Sequence, residues 1–419
     1  KEVLMNYKVR KAFAIFILTL LILVATTSYY GIRGIDNLAY VVAIGIDVGA
    51  NENLLLSLQI SLPNGGESSG SSSQSTSVVV ESVECSSINA GITLFNSYLG
   101  KEINLSHCKV LVISEEFATQ GVSEVLYTLT NEIQFRTTSN IIISKCDAKS
   151  YLEYSAPLLD KVSARYYEIA PTSSEYTGYT ESITCNEFLS AISNNFSSPV
   201  AILGSINSEA TQNQDLSSSN VTSYYTAGQT PISPKNDGVE TMGLAVFNKD
   251  QLVGELNGFE SICHLIISNK LKNAQIRVPS PVKELDFMDL YIEFDDDTKN
   301  SVYLVNSTPF ITSKIKITAK MQSMNKNINL KDEELVSKIE TSAEAFLKEN
   351  IMNYLYKTSK EFRADIDSFG LYASKYFSTN QEWEDYNWIH HYKDAYFDVD
   401  IDVNLRSSYL LISTDEESE

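Results

Sequence analysis

From Ala12 to Ile32 the chain runs for 21 residues without a charge, and the centre of that run, AFAIFILTLLILVA, is almost wholly apolar. At about 1.5 Å of rise per residue, a helix of this length reaches roughly 31 Å, matching a bilayer's hydrocarbon core of about 30 Å. Lys8, Arg10 and Lys11 stand just before it. Flanking cations stay on the cytoplasmic side, so the N-terminus is expected inside and residues from about 33 onward outside. Tyr29 and Tyr30 fall where an interfacial aromatic belt would lie. A cleaved signal peptide usually has an apolar core of about 7–15 residues and a small-x-small cleavage site. The nearest such site here is Ala25-Thr26-Thr27. The length of the run favours an uncleaved transmembrane anchor over a processed signal.

The rest of the chain is acidic. Asp plus Glu number 53 against 32 Lys plus Arg, a net charge of -21, while residues 1–30 carry four basic residues against Glu2. An acidic body of this kind excludes nucleic acid as a partner, since phosphates need clustered Lys and Arg. It is also repelled by anionic lipid, which favours neighbouring proteins over the lipid surface as partners. The five cysteines, Cys85, Cys108, Cys146, Cys185 and Cys263, include no CxxC pair. Their odd number and wide scatter favour free, buried thiols over a disulfide framework or a zinc knuckle.

The pattern beyond the anchor is that of an α+β protein with mixed sheets. Leu38–Val48, Leu54–Leu62 and Ser77–Val83 read as strands, with the apolar-free stretch 64–77 as a mobile loop. Ile88, Ile92, Phe95 and Leu99 recur at helical spacing, with Gly100 as the cap. Strand Lys109–Ser114, a short helix after Ser114, a longer helix Val122–Phe135 and strand Asn140–Lys145 complete a β-α-β-α-β alternation that predicts a sheet with a helix-covered face. The Ser- and Asn-rich stretch 205–236, with Pro231 and Pro234, reads as a linker. Gly243–Asn248 and Gln251–Glu255 form a hairpin about Lys249-Asp250, followed by a helix over Glu260–Asn269 and strands near 273–279 and 288–294. Val302–Ile311 and Thr312–Met321 are expected as strands. Leu330–Lys360 is expected as one long helix with Leu335, Ile339, Ala343, Phe346, Ile351 and Leu355 buried. Tyr396–Leu405 alternates apolar residues with Asp398, Asp400 and Asp402, the pattern of a half-buried strand. The implied modules are 1–32 (basic flank and anchor), 33–204, the linker 205–236, 237–285, 286–413 and the acidic tail 414–419.

No catalytic, cofactor-binding or metal-ligating residue emerges. Counted as a calcium loop from Asp398, the required Gly and Glu positions hold Val403 and Tyr409, so the three aspartates read as a solvent face. Asp295-Asp296-Asp297 reads as a turn. His390-His391 lacks nearby partners for a metal, and His107-Cys108 lacks a third group to orient a nucleophile. No nucleophile elbow, P-loop, dinucleotide-binding or zinc-protease motif occurs. The chain reads as a non-enzyme without a cofactor.

Four blocks in order resemble the Ger(x)C spore germination proteins, the C subunits of nutrient germinant receptors. They are Arg33–Val42 with Gly45-Ile46-Asp47; Leu105–Ile113 with Glu115–Ala118 and Gly121; Gly243–Phe247 with Leu252–Leu256; and Asp365–Gly370 with Trp383–Trp388. The family is usually a lipoprotein with Cys-Trp-Asp at the membrane exit. Here Tyr29, Tyr30 and Gly31 hold those places, and no cysteine precedes Cys85. Lipidation at that junction is chemically impossible, so the uncleaved helix is expected to replace the lipid as anchor.

The resemblance implies a three-domain α+β subunit without an assigned enzymatic activity. It would sit on the outer face of the spore inner membrane beside receptor A and B subunits, the B subunit being permease-like. The function expected is therefore a non-catalytic, membrane-anchored scaffolding or signal-coupling role in nutrient-triggered germination. The alternative is an extracytoplasmic solute-binding receptor that itself holds the nutrient between domains. An envelope hydrolase is a third, more distant class.

Overall fold

The computed structural model describes residues 2–29, 37–50, 53–62, 78–155, 166–168, 170–207, 224–232, 238–281, 287–294, 297–322 and 332–406. The loop 64–77, the membrane-exit residues 30–36, Asp295, Asp296 and the tail 414–419 lie outside them.

A helix over Glu2–Tyr29 takes in the basic flank and the described part of the uncharged run, Ala12–Tyr29. The apolar side chains described along it, Phe13, Ile15, Phe16, Leu18, Leu20, Leu21, Ile22 and Leu23 among them, are all exposed. None of the described residues covers that stretch. Among the described residues, no helix is long and apolar enough to cross a membrane, so the transmembrane helix expected over Ala12–Ile32 is not found among them.

The body is built on two sheets. Strands β1 (Leu38–Val48), β2 (Leu54–Ser61), β3 (Val78–Cys85), β4 (Glu102–Asn104), β5 (Val110–Ser114), β6 (Asn140–Ser144), β7 (Val200–Asn207), β8 (Gly238–Asn248) and β9 (Gln251–Leu256) form the first. Its order is β3-β2-β1-β5-β6-β7-β8-β9, with β4 beside the start of β1. The middle, β1-β5-β6-β7, is parallel, and antiparallel pairs finish each side. Its central strands are apolar on both faces because both faces are covered. Leu111 and Ile113 join the main core, while Val110 and Val112 pack under the helix Ala148–Tyr154 with Tyr151 and Tyr167. Asp47, at the end of β1, accepts the Ala148 and Lys149 amides at 2.6 and 3.0 Å and so starts that helix.

The second sheet holds β10 (Asn273–Pro279), β11 (Phe287–Glu293), β12 (Lys299–Val305), β13 (Thr308–Met321) and β14 (Tyr396–Arg406). β14 lies parallel to β13 over Phe310–Lys320. The helix Glu333–Tyr356 buries Ile339, Ala343, Leu347, Ile351, Tyr354 and Leu355. It ends in a wide turn, Lys357–Phe362, with π-type pairing. Leu335 and Phe346 are only partly buried.

β7 and β8, on either side of the stretch 205–236, are antiparallel neighbours in one sheet. Three expectations change. The residues 237–285 are shared, since β8 and β9 complete the first sheet while β10 pairs with β11 in the second. The hairpin of the second sheet turns at Asn306-Ser307, both left-handed with φ 50 and 65, rather than at 311–312. That two-residue turn matches the twist of paired strands, and local apolar pattern does not announce it. The helix expected over 122–135 stops at Thr130, whose hydroxyl bonds back to Leu126 O at 2.8 Å.

Two glycines of the hairpin block have backbone reasons. Gly243 sits at φ 92, where a Cβ would lie 2.2 Å from Leu256 O. At Gly254 a Cβ would lie 2.2 Å from the Phe362 ring, so the hairpin and the wide turn meet with no room for a side chain.

Candidate functional site: a buried clasp between the sheets

The helix Gly258–Ile267 is buried along its whole length. Its sequence, GFESICHLII, is apolar on nearly every side, as a helix wedged between two layers requires. A reciprocal capping box, Asn257 with Glu260, fixes its start. One ionisable group, His264, lies in its last turn and is fully buried.

Both ring nitrogens of His264 meet carboxylates. Nδ1 lies 2.8 Å from Asp367 Oδ1, and Nε2 lies 2.9 Å from Glu181 Oε2. Two acceptors require two donors, which is the imidazolium form. Burial alone would push the His264 pKa down, but the hydrogen bonds and charges of Asp367 and Glu181 outweigh it and raise it to about 9. The Tyr354 hydroxyl donates to Asp367, 2.8 Å from Oδ2. Lys270 pairs with the other oxygen of Glu181. Burial would raise the Glu181 pKa, yet His264 and Lys270 hold it below its usual value.

Asp367 reaches this centre because the chain folds back sharply after the wide turn. Arg363 and Ser368 are both left-handed, with φ 53 and 60. Between them Asp365 faces a second buried set of donors. Its carboxylate accepts the Phe369 and Gly370 amides at 3.1 and 2.7 Å and the Trp388 indole N–H at 2.7 Å. Burial still dominates and pushes the Asp365 carboxyl up to about 7. Its carbonyl accepts the Ser198 amide at 2.7 Å, a link back to the segment entering β7. Beside it the Trp383 ring stacks on Phe196 at 5.5 Å, and its indole donates to Asn195 O at 3.2 Å. Lys357 then joins the wide turn to Glu260 and to the Glu255 carbonyl.

The arrangement is a clasp. Charges from the segment before β7, from the central helix and from the 363–370 fold meet the Tyr354 hydroxyl of the long helix in one buried centre. A buried ion pair is a poor source of net stability, but it is costly to break because the surviving partner is left charged and unpaired. It therefore favours one relative placement of the two sheets. The main apolar core runs through the same region without interruption, from β1 to β14.

The groups singled out from sequence lie elsewhere. Asp398, Asp400 and Asp402 are exposed on β14 beside Thr312, Lys314 and Lys316 of β13. His391 stacks on Tyr386 at 4.2 Å, and His390 meets it edge-on. His107 packs on Tyr40 at 4.8 Å. Cys108 is buried, donates to Val110 O at 3.4 Å, and has its thiol pushed up to about 12 by burial. All five cysteines are free thiols. Among the described residues, no group of three or more His, Cys, Asp and Glu side chains is placed to hold a metal. Sequence reading missed Glu181, His264 and Tyr354 altogether. The available signal was a lone histidine in an otherwise apolar helix. Asp365 and Asp367 were visible only within a resemblance block.

Residues 32–206 match the family model described as spore germination protein N-terminal domain, and residues 242–409 match that described as spore germination B3/GerAC like, C-terminal. The chain belongs to the GerAC-like, or Ger(x)C, spore germination family. It is 25% identical over 384 residues to spore germination protein KC of Bacillus subtilis (strain 168), covering 88% of each chain. The crystal structure of the GerBC protein has the same fold, with a TM-score of 0.50 at 11% identity, covering 86% of this chain and 96% of that one. Seen against this Ger(x)C division, the clasp joins the two matched regions: Glu181 comes from the N-terminal one, and His264, Tyr354 and Asp367 from the C-terminal one. The first sheet does so too, because β8 and β9 finish a sheet begun by the N-terminal region.

Proposed function

We propose that this Ger(x)C protein is a non-catalytic, membrane-anchored subunit of a nutrient germinant receptor, acting as a rigid scaffold that couples its neighbours. The buried clasp carries this reading. A receptor part that transmits a displacement needs its domains fixed to one another, and His264 fixes them with charges that cannot be separated cheaply. The exposed apolar side chains of the Glu2–Tyr29 helix support a bilayer as its surroundings, since none of the described residues covers them. In this reading the body lies on the outer face of the spore inner membrane beside the A and B subunits, with no nucleic-acid partner. Tyr29, Tyr30 and Gly31 stand where the family's Cys-Trp-Asp, with its lipidation cysteine, would fall, which supports the helix as the anchor.

Removal of residues 37–419 with the helix retained is expected to abolish nutrient-triggered germination of spores carrying this receptor. Unchanged germination with unchanged levels of the other subunits would refute the proposal. Calorimetry of the chain with amino acids and sugars separates it from the solute-binding reading, which requires saturable heat.

A further inference from the structure

One corner of the first sheet lies where the chain leads to its N-terminal helix, with Glu102 as its one acid among the residues named below. β1 begins at Leu38, and eight residues, 30–37, join it to the helix ending at Tyr29. Even fully extended, that connection spans at most about 28 Å. The strand register fixes what surrounds the start of β1. β4 lies parallel to it, Leu38 beside Glu102. β2 runs antiparallel and ends at the same level, so Leu62 follows Ser61 at this edge. The helix Ile88–Leu99 runs back from the far end of β3 and stops here at Gly100, left-handed with φ 62. Asn96, in its last turn, accepts the Ile103 amide of β4 at 2.7 Å and locks the helix end to the corner.

Three side chains therefore stand out at the edge from which the chain leads to its helix: Tyr98, 75% exposed, Leu62, 44% exposed, and Lys101, also exposed. An aromatic with a polar tip, an aliphatic and a long cation are the residue types that settle at a membrane–water interface. There the apolar parts leave water and the ammonium reaches the phosphates. The acids of β14 lie on the other sheet.

We propose that this corner, Leu62 with Tyr98 and Lys101, rests on the lipid headgroup layer of the membrane that holds the Glu2–Tyr29 helix. The proposal rests on the membrane-anchor reading above. It sets the orientation of the body: β1 starts at the bilayer, and the parallel strands run away from it. A body held both by its helix and by this corner cannot swing freely on its connection, which a rigid coupling element requires.

The test is nitroxide labelling of the full chain in vesicles of phosphatidylglycerol and phosphatidylethanolamine. One label is carried at each of L18C, L62C, Y98C, K101C and Y396C, with the unsubstituted chain giving the background from native thiols. Accessibility to oxygen and to a water-soluble nickel chelate is read at each site. The expected result is a lipid-like ratio at 18, an aqueous one at 396, and intermediate ratios at 62, 98 and 101. K101C keeps both Leu62 and Tyr98, so the corner is sampled without deleting its apolar contacts. A lipid-like 18 with 62, 98 and 101 all as aqueous as 396 overturns the corner contact and leaves the anchor. An aqueous 18 overturns the anchor reading and the corner contact together.

Discussion

Two groups of acids in the C-terminal half share a spacing and have opposite fates. Asp365 and Asp367 alternate along the fold-back after the long helix and are buried, with Asp367 bound to His264 and Asp365 to two amides and an indole. Asp398, Asp400 and Asp402 alternate along β14 and are exposed beside Lys314 and Lys316. On a strand, alternate residues share a face, and the apolar residues between them take the other, so the β14 acids must face water. The 363–370 segment has no such period. Two left-handed residues turn its carboxylates inward, and cations or dipoles wait there. Equal spacing of acids therefore carries no single meaning; the backbone path decides whether a charge is solvated or committed to a partner.

The comparison can be broken in graded ways. The largest effect is expected from H264A, which leaves Asp367 and Glu181 facing each other's side of an empty, dry site. Unfolding in denaturant should show a loss of about 3–5 kcal/mol. A loss below about 1 kcal/mol would mean that the clasp is not closed in solution.

The second test uses pH. The folded pKa of His264, about 9, lies above its ordinary value of 6.5. A raised folded pKa contributes stability that is fully present below pH 6.5 and is lost as pH rises through 9. The expected fall is of the order of 2–3 kcal/mol between those limits. Denaturation midpoints measured across this range should flatten in H264Q.

G254A is expected to be smaller in effect, about 1–3 kcal/mol, because the new methyl group meets the Phe362 ring and the wide turn must shift. It should weaken the junction without altering the pH slope. The smallest effect belongs to the exposed acids. D398N, D400N and D402N should each change stability by no more than about 0.5 kcal/mol, since solvated charges on a sheet face lose little on neutralisation. A large loss at any of them would erase the distinction between the two groups.

Much of the fold is legible along the chain. β1, β5 and β6 follow from runs of β-branched residues, β2 from the alternation after its leucine start, and the helix Ile88–Leu99 shows its cap at Gly100. The alternation of β14 fixes both its strand and its solvent face. The turn at Asn306-Ser307 lies in the Asn-Ser-Thr-Pro stretch, a turn signal that the strand reading Val302–Ile311 ran through. The polar stretch 205–236 falls largely between the two family-matched regions, but composition reports local solvation and says nothing about the strands that pair across it. The candidate site was the least legible part. Glu181, His264, Tyr354 and Asp367 lie 83 to 103 positions apart where they pair with His264, apart from the closer Tyr354–Asp367 contact.

The sequence by itself determined the apolar N-terminal helix, the acidic balance, the free cysteines and the alternation that makes β14 one-sided. These are properties of composition and of short periods, which the chain carries wherever it goes. Only the tertiary structure decided that two sheets share one core, that β8 and β9 complete a sheet begun elsewhere, and that a single histidine holds carboxylates from both halves. The reason is physical: a buried charge is tolerated only where an opposite charge arrives, and that meeting depends on the folded path of segments distant along the chain.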